Sequence, residues 1–446
     1  MKKLALFSLL LFLLSPPLMA ASSTHEYKLD NGLTVLVREN HQAPVVTVMV
    51  WYKVGSIDEP AGETGISHVL EHMMFKGTKH LKPGQFSEIV SRFGGAENAF
   101  TSYDYTAYYQ NYAANRLPLA LQLEAERMHN LVIDPAEFAS ELKVVEEERR
   151  MRVLDKPDAY AWERFAAVAR PGTGYAHPTI GWLHDLQAIT PAKLERWYRD
   201  YYQPGNATLV IVGDVQLTEV KQLVHKYFAP IEGRGVPWHA SSAQQPAPGQ
   251  RRITLEVPVK VPRLYMAYNV PTLGNAKQPS TFYALSMLSG VLDGGLSARL
   301  ETRLVRGQKI AAGAGAGYNG TGRAGGLFTL SATPNPGVSL AQLEKALRQQ
   351  IAELAATPPT ADEMKRVRAQ VLAGDVFAKD ANMGQAMALG RLVTVGLPWQ
   401  TDDNFAAELA KVTPEQVSEA ARQWLVPARE TVAEVLPKTD SKQKEK

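Results

Sequence analysis

Residues 67–77, SHVLEHMMFKG, set two histidines and a glutamate within five positions of an otherwise apolar run. His68 and His72 are four apart, so on a helix both imidazoles leave one face and can take adjacent corners of a tetrahedral metal site. Glu71, three after His68, falls on that face as well. Because it directly precedes the second histidine, its carboxylate can sit beside the metal's open position without being a ligand. There it can take a proton from a water whose pKa the metal has lowered. The order is HxxEH, the inversion of HExxH. Val69, Leu70, Met73, Met74 and Phe75 can bury such a helix and hold it rigid. The chain has no cysteine, so any further ligand must be His, Asp or Glu, and disulfides are excluded.

A second stretch, PAEFASELKVVEEERRMR (135–152), reads as an acidic helix on which Glu141 and Glu148, seven apart, share a face. Most of Glu146, Glu147, Arg149 and Arg150 read as a solvated charged face. His177 and His184 are expected in supporting or core positions, and His80, His129, His225 and His239 have no metal-ligand spacing. GAGAGYNG (313–320) has neither the strand-then-helix context nor the acidic ribose contact of a nucleotide-binding glycine loop.

The elements that must position these residues are partly legible. LTVLVREN (33–40) and VVTVMVWYKVG (45–55) look like paired strands, and TSYDYTAYYQNYA (101–113) alternates like another. Stretches 65–76, 84–93, 116–131 and 135–153 carry helical periodicity. Strands and helices mix without βαβ regularity, so the expected class is α+β. ITPAKLERWYRDYYQPGNATLVIVGDV (189–215) and VTPEQVSEAARQWLVPARETVAEVLPK (412–438) repeat each other, with Thr190-Pro191 and Pro204 matching Thr413-Pro414 and Pro427. In each copy Thr is a candidate N-cap with Pro at the first helical position, and a Pro-containing turn leads from the helix into a β-rich run. The Pro-, Gly-, Ser- and Gln-rich stretch 231–252 reads as a linker. The expected division is a domain at 22–232, a linker at 233–251, a second domain at 252–437 and a polar tail at 438–446.

The chain opens with two lysines, an apolar stretch from Leu4 to Leu14, a Pro-Pro break and small residues near Ala20. This is a secretory signal pattern over 1–20, too short for a membrane span, which needs about 20 apolar residues. The mature product is expected in a bacterial periplasm, with no membrane span. A net charge of +3 gives no case for a nucleic-acid partner.

Taken together these motifs resemble the M16 zinc metallopeptidases, the pitrilysin-like or inverzincin family that includes the mitochondrial processing peptidase. The family's signature is HxxEH followed some 75 residues later by a glutamate ligand in a helix of the form E-x-x-V-V-x-E-E, and ELKVVEEE (141–148) supplies it. The resemblance implies that His68, His72 and Glu148 bind one Zn²⁺ per chain, with Glu71 as catalytic base and Glu141 as an auxiliary catalytic residue. Glu147 competes with Glu148, since the triple glutamate lets the register slip, although only Glu148 has a glutamate seven residues before it. GETGISHVLEHMMFKGT (62–78) and AHPTIGWLHDLQAITPAKL (176–194) are also similar to the family. ENAFTSYDYTAYY (97–109) resembles the stretch whose edge strand, here Asn98, Ala99, Phe100 and Thr101, pairs with the peptide substrate. Ordinary strand packing is expected for at least half of Tyr103, Tyr105, Tyr108 and Tyr109.

The implied fold is two homologous α/β-sandwich domains, the LuxS/MPP-like metallohydrolase architecture, enclosing a peptide-binding chamber. The implied activity is zinc-dependent endopeptidase hydrolysis of peptides or unfolded segments. In the second half ALSMLSGVL (284–292) lies where the metal helix would be, with Ser286, Ser289 and Gly290 replacing His, Glu and His. Complete enzymes of the family carry an Arg and a Tyr in this half. Here Arg306 matches the arginine, Ala312 falls at the tyrosine, and Tyr318 lies further along. The resemblance therefore implies a heterodimer with a homologue carrying the Arg/Tyr pair, or else a homodimer. A non-catalytic structural or peptide-binding subunit is the alternative.

Overall fold

A computed structural model describes residues 24–235, 237–240 and 249–438. The expected signal segment 1–20, residues 236 and 241–248 of the expected linker, and the tail from 439 onward lie outside the described residues.

In the first half the strands are β1 (Thr24–Lys28), β2 (Thr34–Glu39), β3 (Val45–Tyr52), β4 (Ala96–Thr101), β5 (Thr106–Ala113) and β6 (Ala207–Gly213). Its helices are α1 (Ile66–Met73), α2 (Gln85–Arg92), α3 (Leu117–Asn130), α4 (Pro135–Arg149), α5 (Pro157–Ala169), α6 (Leu183–Leu186), α7 (Pro191–Tyr201) and α8 (Leu217–Phe228). The second half holds β7 (Arg251–Val257), β8 (Arg263–Val270), β9 (Ala311–Asn319), β10 (Gly326–Pro334) and β11 (Glu430–Pro437). Helices α9 (Ser280–Leu292), α10 (Leu340–Ala356), α11 (Ala361–Ala378), α12 (Asn382–Thr394), α13 (Gln400–Ala410) and α14 (Pro414–Trp424) complete it.

The sheets run β1-β2-β6-β3-β5-β4 and β7-β11-β8-β10-β9. Apart from β1 they share one pattern. The late strand (β6 or β11) is inserted parallel to the first strand (β2 or β7) and antiparallel to the next (β3 or β8). The sequence repeat is the source of this match. Thr190 caps α7 by accepting from the Lys193 amide, Thr413 caps α14 by accepting from Gln416, and each helix leads through a short 3₁₀ turn into the inserted strand.

Two readings of the sequence are corrected here. β2 and β3 do not pair with each other, because β6, about 170 residues on, lies between them. The stretch 101–113 is also not one strand. Thr101 ends β4, residues 102–105 turn, and β5 starts at Thr106. The acidic helix ends at Arg149 and continues as a π-helical turn over Arg150–Leu154.

One face of each sheet carries its own half's helices, forming two separate apolar cores. The other faces are covered by exchange. Ala161, Phe165 and Ala169 of α5 pack on Val257, Tyr265, Ala267, Ala433 and Val435 of the second sheet. In return, Ala386 and Leu389 of α12 pack on Met49, Trp51, Val210 and Val212 of the first. A buried ion cluster pins the junction: the Arg323 guanidinium bonds the Asp58 carboxylate (2.5 Å) and that of Asp104 (3.4 Å), and Asp104 also accepts from the Tyr175 hydroxyl.

Candidate metal centre

Helix α1 is built to be immobile. Its N-cap, Gly65, has φ +92°, and an added Cβ would meet the Ile180 carbonyl oxygen at 2.7 Å, so a side chain is excluded on both counts. The unpaired amides of the first turn are satisfied from outside the helix: the buried Glu59 carboxylate accepts from Gly65 N–H (2.7 Å) and Ser67 N–H (2.9 Å). Ile66, Val69, Leu70 and Met73 are fully buried and anchor the helix in the first core. The other face presents His68, Glu71 and His72 to a cavity of about 710 Å³.

Helix α4 packs across α1. Asp134 caps it, accepting from the Ala136 (2.8 Å) and Glu137 (3.0 Å) amides, with Pro135 at the first helical position. At its far end the buried Arg149 makes a bidentate pair with Glu163 of α5, both bonds 3.0 Å. With both ends fixed, the α4 face carrying Glu141 and Glu148 meets the histidines. Glu148 Oε2 lies 3.8 Å from His68 Nε2 and 3.4 Å from His72 Nε2, and one ligand atom from each of the three residues falls within 4.8 Å of the other two. Glu141 Oε2 is 3.1 Å from His72 Nδ1, and its Oε1 pairs with Lys76 Nζ at 2.6 Å. Glu147 points away and pairs with the exposed Arg150. Arg152, in the π turn, holds Glu148 Oε1 at 2.5 Å and leaves Oε2 for the histidines.

The electrostatics suit metal capture. Burial, then the neighbouring His72, pushes His68 down to about 4, so its imidazole is neutral and one ring nitrogen has a lone pair to offer. His72 is raised: burial opposes its charge, but bonds to Glu148 and Glu141 outweigh burial. Glu148 is lowered, chiefly by its bond to His72. Metal ligands must be deprotonated, so a metal ion here would compete with a proton for His72 Nε2. Burial raises Glu71 despite the bond it accepts from the Thr101 hydroxyl (2.5 Å).

Asn98, Ala99, Phe100 and Thr101 all line this cavity. They belong to β4, which among the described residues pairs only with β5 and forms the edge of its sheet. Of the four tyrosines, Tyr108 is in the core, Tyr105 and Tyr109 pack with the α12 cluster, and Tyr103 alone faces the cavity. His177 lines the cavity too, whereas His184 is exposed beside Asp185. In the second half Ser286 bonds the Phe282 carbonyl within α9 and Gly290 is closed against Val367, and among the described residues no second group of metal-ligating side chains comes together. Arg306, Ala312 and Tyr318 are not among the residues around the cavity. Arg306 pairs with Glu301, and the Tyr318 hydroxyl donates to the Pro271 carbonyl.

Sequence reasoning missed Glu59, Lys76 and Arg152, and it missed the α5 wall of Ala159, Trp162 and Glu163. Of these, Lys76, four residues after His72, and Arg152, four residues after Glu148, left a spacing signal.

Comparison with known proteins fits this geometry. Residues 34–181 match a family model described as insulinase (peptidase family M16), and 188–371 match the peptidase M16 inactive domain. The zinc protease PqqE of Helicobacter pylori is 34% identical over 351 residues, covering 77% of this chain and 78% of that protein. An uncharacterized zinc protease of Bacillus subtilis, YmxG, is 26% identical over 89% of this chain and 94% of its own length. A crystal structure of a protease from Helicobacter pylori superposes with TM-score 0.87 at 28% identity, covering 93% of this chain and all of that one. The first half of the periplasmic protease PqqL from Escherichia coli shares the fold at TM-score 0.76 and 20% identity, covering 95% of this chain and 96% of that one. With its two-domain fold and its His-His-Glu cluster set on an HxxEH helix, the chain belongs to peptidase family M16.

Proposed function

We propose that the chain is a zinc-dependent endopeptidase acting on peptides or unfolded segments. The convergence of His68, His72 and Glu148, with Glu71 beside them and bonded to the edge strand, carries this reading. Two imidazole nitrogens and one carboxylate oxygen are the donors zinc takes in catalytic sites, where a fourth position stays open. Bound there, zinc supplies Lewis acidity that acidifies water and polarises the scissile carbonyl.

The protein's own groups do the rest. Glu141 accepts the Nδ1 proton of His72, which fixes the tautomer and leaves Nε2 as the ligand atom. Thr101 occupies one oxygen of Glu71, so the other takes the proton of the attacking water and then delivers it to the leaving amine. An extended peptide adds to β4 along residues 98–101 through backbone hydrogen bonds, which explains how varied sequences can be held across the site.

Among the described residues no arginine–tyrosine pair from the second half lines the cavity, and this supports a partner subunit, a homologue carrying that pair, that completes the site in a heterodimer. The full-length periplasmic protease PqqL is about twice as long, with this chain spanning 48% of it. The signal pattern at 1–20 and that relative's location support the periplasm. The match of 188–371 to an inactive domain favours one competing reading, a non-catalytic subunit.

A fluorogenic peptide assay with zinc or a chelator, on this chain alone and with an Arg/Tyr-bearing homologue, separates these readings. Zinc-dependent cleavage that Glu71→Gln abolishes while zinc is retained is the expected result. Full-rate cleavage by the chain alone removes the partner requirement, and no cleavage in either condition favours the non-catalytic subunit.

A further inference from the structure

A smaller cavity of about 110 Å³ lies at the junction of the two halves and shares Tyr103 and Tyr175 with the metal cleft. The β4–β5 turn (102–105) forms one side of it. The β9–β10 turn, with Asn319, Thr321, Gly322 and Gly325, forms the other. This turn passes close: a Cβ on Gly322 would come within 2.6 Å of the Tyr175 hydroxyl, so glycine leaves the cavity open.

Two arginines reach this space from opposite halves. Arg170, just after α5, lies against the rings of Tyr103 (5.1 Å) and Tyr175 (5.5 Å), and its buried Nε has no hydrogen-bond partner. Arg391 comes from α12 and is solvent-exposed. Among the described residues neither guanidinium has a carboxylate partner, whereas Arg323, behind them, is committed to Asp58 and Asp104. The fully buried Thr272 hydroxyl on the cavity wall is also without a partner. Asp104 is the one carboxylate on the wall. One of its oxygens is occupied by Tyr175 and Arg323, so the wall itself carries two guanidiniums, those of Arg170 and Arg391, against one carboxylate. Guanidinium groups without an anionic partner at a cavity, one of them partly buried, are matched by a carboxylate, which they can bind through paired N–H donors.

We propose that this cavity is a carboxylate-anchoring subsite, in which Arg170 and Arg391 hold an acidic side chain or the free C-terminus of a peptide lying on β4. The inference rests on the peptidase reading for why a peptide lies there. Thr101, bonded to Glu71, is the last residue of β4, and the cavity begins at the next one, so the anchored carboxylate sits close to the bond being cleaved. The subsite also makes specificity depend on both halves, since each contributes one arginine.

Fluorescence anisotropy on the zinc-loaded full-length chain bearing Glu71→Gln tests this without turnover. The probes are labelled peptides with one Glu at successive positions, their Gln counterparts, and each peptide as C-terminal acid or amide. At one Glu position, or for the free acid over the amide, binding should be about tenfold tighter, the scale of a charge-assisted bond. A preference that survives amidation assigns an acidic side chain, and one lost on amidation assigns the C-terminus. Arg391→Gln should bring the ratio toward one, and Arg391→Glu should move the preference to Lys-bearing peptides. Exposed Arg391 carries the test if Arg170→Gln fails to fold. Equal affinities for all peptides, or a preference unchanged in Arg391→Glu, overturns the subsite while leaving cleavage by the wild type to speak for the peptidase. A preference present in a chain that cleaves nothing with any partner keeps the subsite and sinks the peptidase.

Discussion

At the scale of single residues the centre has two tiers, and they should respond differently to substitution. Glu148 faces both histidines, Glu141 bonds the back of one, and Glu147 faces solvent against Arg150. Glu141→Ala should therefore weaken zinc about 10- to 100-fold, as is usual when the partner of a ligating imidazole is lost. Glu148→Gln should cost more and Glu147→Gln nothing, measured by competition against a chromophoric chelator. A loss in Glu147→Gln equal to that in Glu148→Gln would return the register to the sequence ambiguity. His68, Glu71 and His72 were legible because all three lie in one turn of helix, where spacing alone fixes geometry. Resolving Glu148 from Glu147 locally needed only the glutamate seven residues earlier. Arg152 was legible in the same way, four residues after Glu148 in a stretch read as helical, although the pair closes where the helix widens into a π turn.

Among the elements, α1 depends most on groups outside itself. Its first-turn amides bond to Glu59, which burial pushes up to about 7 from an ordinary 4.5, although the bonds from Gly65 and Ser67 favour the charged form. A carboxyl whose folded pKa is raised binds its proton more tightly when folded, so stability falls as pH rises between about 4.5 and 7. Glu59→Gln, which cannot titrate, should flatten that part of the profile. Thermal midpoints of both proteins from pH 4.5 to 8 should converge or cross rather than run parallel, and parallel curves would mean that Glu59 stays ionised in the fold. Element type and rough span were readable from periodicity for α1, α2, α3 and much of α4. Strand order was not, because inserting β6 between β2 and β3 is a long-range choice that no local pattern encodes. The 101–113 stretch misled for a related reason: Tyr103 and Tyr105 alternate as a strand would, yet the turn they form brings β4 to the sheet edge.

For the whole molecule, the exchange of α5 and α12 makes each half complete only in the presence of the other. The sequence repeat announced two similar units but not that they trade covering helices, since α5 and α12 have no unusual composition and find their sheets only in three dimensions. Residues 24–240 expressed alone would leave Met49, Trp51, Val210 and Val212 uncovered, an apolar face that should cause aggregation, while co-expression with 249–438 should restore a soluble pair. The tightest point of the exchange is Gly390 of α12. A Cβ there would stand 2.1 Å from the Trp51 indole, which is fully buried in the first sheet. Gly390→Ala should destabilise the full chain by about 1–3 kcal/mol through overpacking, and Trp51→Ala by about 3–5 kcal/mol through the cavity it leaves. Combined, the two changes should cost clearly less than their sum, because the added methyl enters space that the indole vacated. Denaturant midpoints for the wild type, both single variants and the double variant give the coupling directly. Simple additivity would mean that the two halves do not meet at this point, and the wall that α5 lends to the metal cleft would then lose its rigid support.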